Sequence, residues 1–168
     1  VTRKEMETLA DSISAMVDEA KKMEAAFSKY VAKSFADMGK ASQKLGNRLD
    51  ETSTKFKELQ NAASTGASNT KAATLAKWEK SLTAVRKGLK STKISLEIAQ
   101  AQFDKGLGDE RKIDFLKDKL AGLQTEFNTT NAGIVRASKS IKVLSEVEEK
   151  AASSTDKMKE AEKEKQDV

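Results

Sequence analysis

The chain is expected to be all-α, with long helices forming an antiparallel helical hairpin and coiled coil of elongated shape, and three observations lead there. Apolar residues recur at alternating three- and four-residue steps, the 3.5-residue period that keeps one helix seam facing another. Proline, the strongest helix breaker, is absent from all 168 positions. The period is interrupted by glycine-bearing breaks at residues 61–70 and 106–109, which mark the reversals.

Composition sets the thickness of the structure. Hydrophobic residues make up 38% and aromatics 5%, against 34% charged, too little bulky apolar material for a thick core but enough to line helix seams. Cys and His are both absent, which excludes disulfide staples, thiolate chemistry, imidazole bases and the common zinc sites. The expectation is therefore no enzyme, no cofactor, no metal and no small-molecule substrate. No apolar run approaches the roughly 20 residues of a membrane span. A start at Val1 suggests a processed product or a piece of a longer chain.

The first helix, residues 1–63, carries the track Met6, Leu9, Ile13, Met16, Ala20, Met23, Phe27, then Val31, Phe35, Met38, Ser42, Leu45, Leu49, Thr52, Phe56, Leu59 and Ala63. Two consecutive four-residue steps between Phe27 and Phe35 form a stutter, which unwinds a supercoil locally without ending the helix. At roughly 90 Å, this helix either packs along the later hairpin or continues away as a separate coiled-coil arm. The segment "NAASTGASNT" then supplies a stop at Gly66 and polar residues suited to cap the next helix.

An antiparallel hairpin is expected over 64–150, with its turn near 106–109. Its first limb packs through Leu75, Trp78, Leu82, Val85, Leu89, Leu96 and Phe103, with Thr92 and Ala99 on the same seam. Its second limb packs through Ile113, Leu116, Leu120, Leu123, Phe127, Ile134, Ile141 and Leu144, with Thr130 and Ala137 between. The limbs are nearly matched at about 39 residues, or roughly 58 Å. Between them Gly106 supplies the left-handed conformation that ends a helix, Gly108 permits the reversal, and Asp109 caps the next helix. Gly88, beside Leu89, offers a place for close helix approach. Residues 151–168 form a polar, charged tail, helical or frayed, because the seam there turns to Glu148, Ala151, Thr155, Met158 and Glu162.

The formal net charge of +5 is unevenly placed: residues 64–106 hold eight Lys/Arg against three Asp/Glu, a net equal to that of the whole chain. Lys77, Lys80, Arg86, Lys87 and Lys90 lie away from the seam and form a candidate anion-binding patch for weak contact with DNA phosphates or an anionic membrane. No aromatic or Arg-rich pattern accompanies them, which favours a solvated face. "RKGLKST" lacks the first glycine, the Gly-Lys pair and the preceding strand of a phosphate loop. Glu146, Glu148 and Glu149 read as solvated carboxylates on a charged helix end, and Asn128-Thr129-Thr130 as a mid-helix coincidence with a glycosylation pattern.

Two stretches carry a resemblance to phage and prophage tail tape measure proteins. "SFADMGKASQKLGNRL", residues 34–49, is similar to the F-x-x-M/V-G-K-x-x-x-x-x-G-x-x-L stretches near the start of those chains. "AQFDKGLGDERKIDFLKDKLAGLQTEF", residues 101–127, resembles their recurrent hairpin of a heptad helix ending in F/Y-x-x-G, a few turn residues and a second heptad helix. The Ala-, Lys-, Ser- and Thr-rich composition without Cys, His or Pro is also similar. The resemblance implies a non-catalytic fragment of a long helical protein, a homo-oligomer packed with tail tube and tail assembly proteins. Such a protein sets tail length, is assembled in the bacterial cytoplasm and ends in the virion tail. The apolar, membrane-active stretches frequent in that family do not occur here. The alternative is a crescent-shaped domain of the BAR type, cytoplasmic and peripheral to an anionic membrane, to which "KISLEIAQAQFDKG" and the following helix bear some likeness.

Overall fold

A computed structural model describes the backbone of residues 2–166 and the side chains of residues 2–159. Among the described residues the chain is three helices and no strand: α1 (Arg3–Ser64), α2 (Ala72–Asp104) and α3 (Glu110–Gln166). Residues 167 and 168 of the expected tail, and the side chain of Glu162, lie outside the described residues; residues 151–166 continue α3 as helix.

Most helix boundaries have a local cause. Thr2 caps α1 in a capping box: its hydroxyl accepts from the Glu5 amide at 3.3 Å, and its own amide donates to Glu5 Oε2 at 2.7 Å. Two bonds that Thr2 donates to the Glu5 carboxylate, first from its amide and then from its hydroxyl at 3.1 Å, hold the carboxyl below its ordinary value. The cap is therefore present at neutral pH and is lost as pH falls through the carboxylate range.

Both reversals begin with the same device. Gly66 and Gly106 take φ of 77° and 73°, and the amides around each close onto the last turn: Ala67 N–H to Ala62 O and Leu107 N–H to Gln102 O, both 2.9 Å. Gly108 permits the reversal by its small size. It has no left-handed φ, but an added Cβ would lie 2.9 Å from Phe103 Cα, so its lack of a side chain lets the turn fold onto the Phe103 backbone. Asp109 then bonds the Arg111 amide through Oδ1 at 3.0 Å, as a cap should. The start of α2 departs from the sequence reading, since its cap residue is Lys71 with no side-chain bond; Ser68 and Thr70 bond each other instead.

Two reversals set α2 antiparallel to both neighbours and leave α1 parallel to α3. Tyr30, Arg48 and Thr52 of α1 meet Lys117, Phe127 and Asn131 of α3 in that order, whereas Arg86 of α2 reaches back to Asp50 of α1. All three helices pack on one another only where they overlap. The core is drawn from Val31 to Leu59 of α1, Leu82 to Ala99 of α2, and Ile113 to Ile134 of α3, a bundle about 45 Å long at helical rise. The two open possibilities for the first helix are thus both realised along its length. Residues from Val31 onward enter the bundle, and residues 3–30 project beyond it. The stutter marks the changeover.

The limbs of the hairpin are not matched, because α2 has 33 residues and α3 has 57. Past about Ile141, α3 outruns α2 and α1. Ile141 is only half-buried, and Leu144, expected to pack on the seam, is 43% exposed because no neighbouring helix reaches it. The bundle's ends are closed by aromatics: Phe103 packs on Phe27 and Phe35 with ring centroids 6.1 and 6.2 Å apart, and Trp78 lies against Gly133.

Polar seam residues are mostly satisfied. Thr52 donates to Asn131 Oδ1 at 2.7 Å, the Ser81 and Thr130 hydroxyls are 2.7 Å apart, and Thr92 donates to the Gly88 carbonyl. Ser42 is the exception, 2% exposed with its hydroxyl unbonded. An unmet buried hydroxyl costs stability. Ser42→Ala, which also suits a helix interior, should therefore raise the unfolding free energy by about 1 kcal/mol, measurable as a higher urea midpoint with unchanged slope.

Candidate functional site

The fold offers surfaces. Among the described residues no group of three His, Cys, Asp or Glu side chains is placed to hold a metal ion. No helix there is long and apolar enough to cross a membrane. Glu146, Glu148 and Glu149 are exposed on α3 beyond the bundle. The groove between α1 and α3 beside Tyr30, about 560 Å³, is open-sided and lined by Met38 and Leu120 with Lys33, Asp37 and Lys117 at its edge. Its one specific contact is internal: Lys117 Nζ donates to the Tyr30 hydroxyl at 3.1 Å, which pushes the amine up from its ordinary value.

The packing residues fall where the three helices overlap. Leu82, Val85, Leu89 and Leu96 of α2 and Ile113, Leu116, Leu120, Phe127 and Ile134 of α3 are buried. Leu75, Trp78, Phe103 and Leu123 are half-buried against them. Gly88 admits α3 closely, since a Cβ there would lie 2.5 Å from a Leu123 methyl.

The five basic residues of α2 are all exposed, but they fan around the helix instead of facing one way. Arg86 turns toward α1, where its guanidinium bonds Asp50 Oδ1 and Ser53 Oγ, each at 3.0 Å. Lys77 and Lys80 flank a groove that also contains Glu126 of α3. Lys80 and Lys87, seven residues apart, are left on the outermost line of the helix. One of the five charges is neutralised and two share their groove with a carboxylate, so the positive field over α2 is weaker than the sequence count implies.

The larger feature is the pair of projecting helices. The first seven seam residues of α1 are all exposed, including Met6 at 62%, Met16 at 70% and Met23 at 69%. Their heptad spacing predicts a seam but not the absence of a partner within the chain. The signal for that absence is the spacing of Gly66 and Gly106: only about 40 residues separate them, so α2 is too short to cover the whole of α1.

No protein-family model, curated protein or solved structure matches this chain.

Proposed function

We propose that the chain is a non-catalytic spacer of helical assemblies, a segment of tail tape measure type that helps set tail length from within the virion tail. The observation that carries this is directional. An odd number of helices joined by two reversals brings the chain in at one end of the bundle and out at the other. From Arg3 to Gln166 the staggered helices span about 130 Å, against about 250 Å for the same residues in one helix. Each residue then advances the chain by about 0.8 Å, a ruler of fixed but shortened step. The 34–49 and 101–127 stretches that resemble tape measure chains fall on α1 and on the α2–α3 turn, both part of this device.

The test is made in virions whose tails contain the chain. In-frame deletion of 3–166 should shorten the tail by about 130 Å if the bundle persists in the assembled tail, or by about 250 Å if it opens into one helix. Tails of unchanged length by electron microscopy would refute the ruler. A peripheral-membrane role would instead appear as salt-sensitive co-sedimentation with anionic vesicles and tubulation. The dispersed charges of α2 give the expectation of no binding at about 150 mM salt.

A further inference from the structure

Residues 3–30 of α1 form a helical arm about 42 Å long whose apolar seam is exposed throughout; among the described residues only its base is touched, Phe27 by Phe103 and Tyr30 by Lys117. Its charges are segregated along its length. Between residues 5 and 19 lie Glu5, Glu7, Asp11, Asp18 and Glu19, with no Lys or Arg; between residues 20 and 33 lie Lys21, Lys22, Lys29 and Lys33, with Glu24 the single acid. Side by side in the same direction, two such arms would set acid on acid and base on base. In opposite directions the acidic half of one arm lies along the basic half of the other, with Glu7 level with Lys29 and Glu5 near Lys33; like charge meets only at the axis, Asp18 and Glu19, and at the tip, where Arg3 falls near Lys33.

The seam is complementary in the same antiparallel register. With the crossing point at Asp18, Met6 falls opposite Tyr30, Leu9 opposite Phe27, Ile13 opposite Met23 and Met16 opposite Ala20. At the two outermost levels a flexible or branched side chain meets an aromatic one, and Met16 meets the small Ala20 at the centre. The arm also has the right reach. Tyr30 stands at the mouth of the bundle, so a partner arm crossing the full length ends there, with Glu5 and Glu7 beside Lys29 and Lys33, before meeting the packed helices.

We propose that the arms of two copies of this chain pair as an antiparallel two-stranded coiled coil with a two-fold axis near Asp18. The seam and flanking positions of a 28-residue arm supply roughly 16 contacting residues a side, fewer than the 20–30 of a standard-sized interface, as suits a dimer in equilibrium with monomer. The other unpartnered helix, α3 beyond the bundle, is a poorer occupant, because Glu148, Ala151 and Thr155 hold its seam positions and its charges alternate. The pairing is a property of the free chain. It rests on the arm and not on the tail reading, so either can fail alone.

Sedimentation equilibrium over micromolar concentrations should show a monomer–dimer equilibrium. Ile13→Glu with Met16→Glu should weaken it on the order of a hundredfold or more; both residues are exposed in the single chain, so helical content should not change. The chain has no cysteine, which allows orientation to be read by oxidation. Val17→Cys, close to the axis, should form a disulfide-linked dimer, while Leu9→Cys should not, because antiparallel pairing puts the two copies of residue 9 about 27 Å apart. A strict monomer, a trimer or larger species, a dimer indifferent to the double substitution, or efficient linkage through Leu9→Cys would each overturn the proposal.

Discussion

Replacing Phe127 by Ala is expected to remove about 3–5 kcal/mol of stability, the cost of emptying a fully enclosed aromatic site. Phe127 is 0% exposed, near the middle of the bundle, and the Arg48 guanidinium lies 5.0 Å above its ring. The chain has few such side chains: its six Phe include Phe115, 65% exposed, and Phe27, 41% exposed. A bundle with so thin a core has little reserve, since ordinary domains hold only about 5–15 kcal/mol in total. Urea unfolding followed by circular dichroism should show the midpoint fall sharply for Phe127→Ala, while Phe115→Ala stays within about 0.5 kcal/mol of the parent. A loss below about 1 kcal/mol at Phe127 would mean that its site is not enclosed.

Gly133→Ala is expected to cost about 1–3 kcal/mol, although Ala is the better helix former by about 1 kcal/mol. The added Cβ would lie 2.7 Å from Cζ2, 2.9 Å from Cε2 and 3.0 Å from Nε1 of Trp78. An indole cannot bend away from three such contacts, so either the ring leaves its place or α2 moves off α3. Gly88→Ala is the internal contrast. Its Cβ meets Leu123 Cδ2 at 2.5 Å, but that is the free end of a flexible side chain, and Cδ1 and Cγ stand back at 3.4 and 3.5 Å. Rotation of Leu123 relieves the contact, and the helix-propensity gain leaves Gly88→Ala close to neutral. Trp78, the single tryptophan, reports the difference directly: its emission should shift to the red in Gly133→Ala and not in Gly88→Ala.

Much of the bundle was legible in the sequence because helical coiled packing repeats. The seam from Leu82 to Ile134 follows from three- and four-residue steps alone, and the left-handed glycines at 66 and 106 follow from where those steps break. Gly108 could be placed in the reversal, but not its particular contact. Close approach to Phe103 is a contact between residues brought together by the turn, and no local pattern encodes it. The unmatched limbs and the exposure of Leu144 have one cause: a heptad pattern states that a helix has an apolar side, not how far its neighbour extends. Arg86 illustrates the same limit for charge. Its position on α2 reads as outward, yet Asp50 and Ser53 of α1 claim its guanidinium.

The three helices overlap only in a short bundle, which α1 and α3 overshoot in opposite directions. Small-angle X-ray scattering tests it most directly, on the Ile13→Glu, Met16→Glu chain so that paired arms do not lengthen the particle. A rod of about 130 Å with a radius of gyration near ~35 Å is predicted from helical rise. A radius of gyration close to the ~15 Å of a compact domain of this length would contradict it.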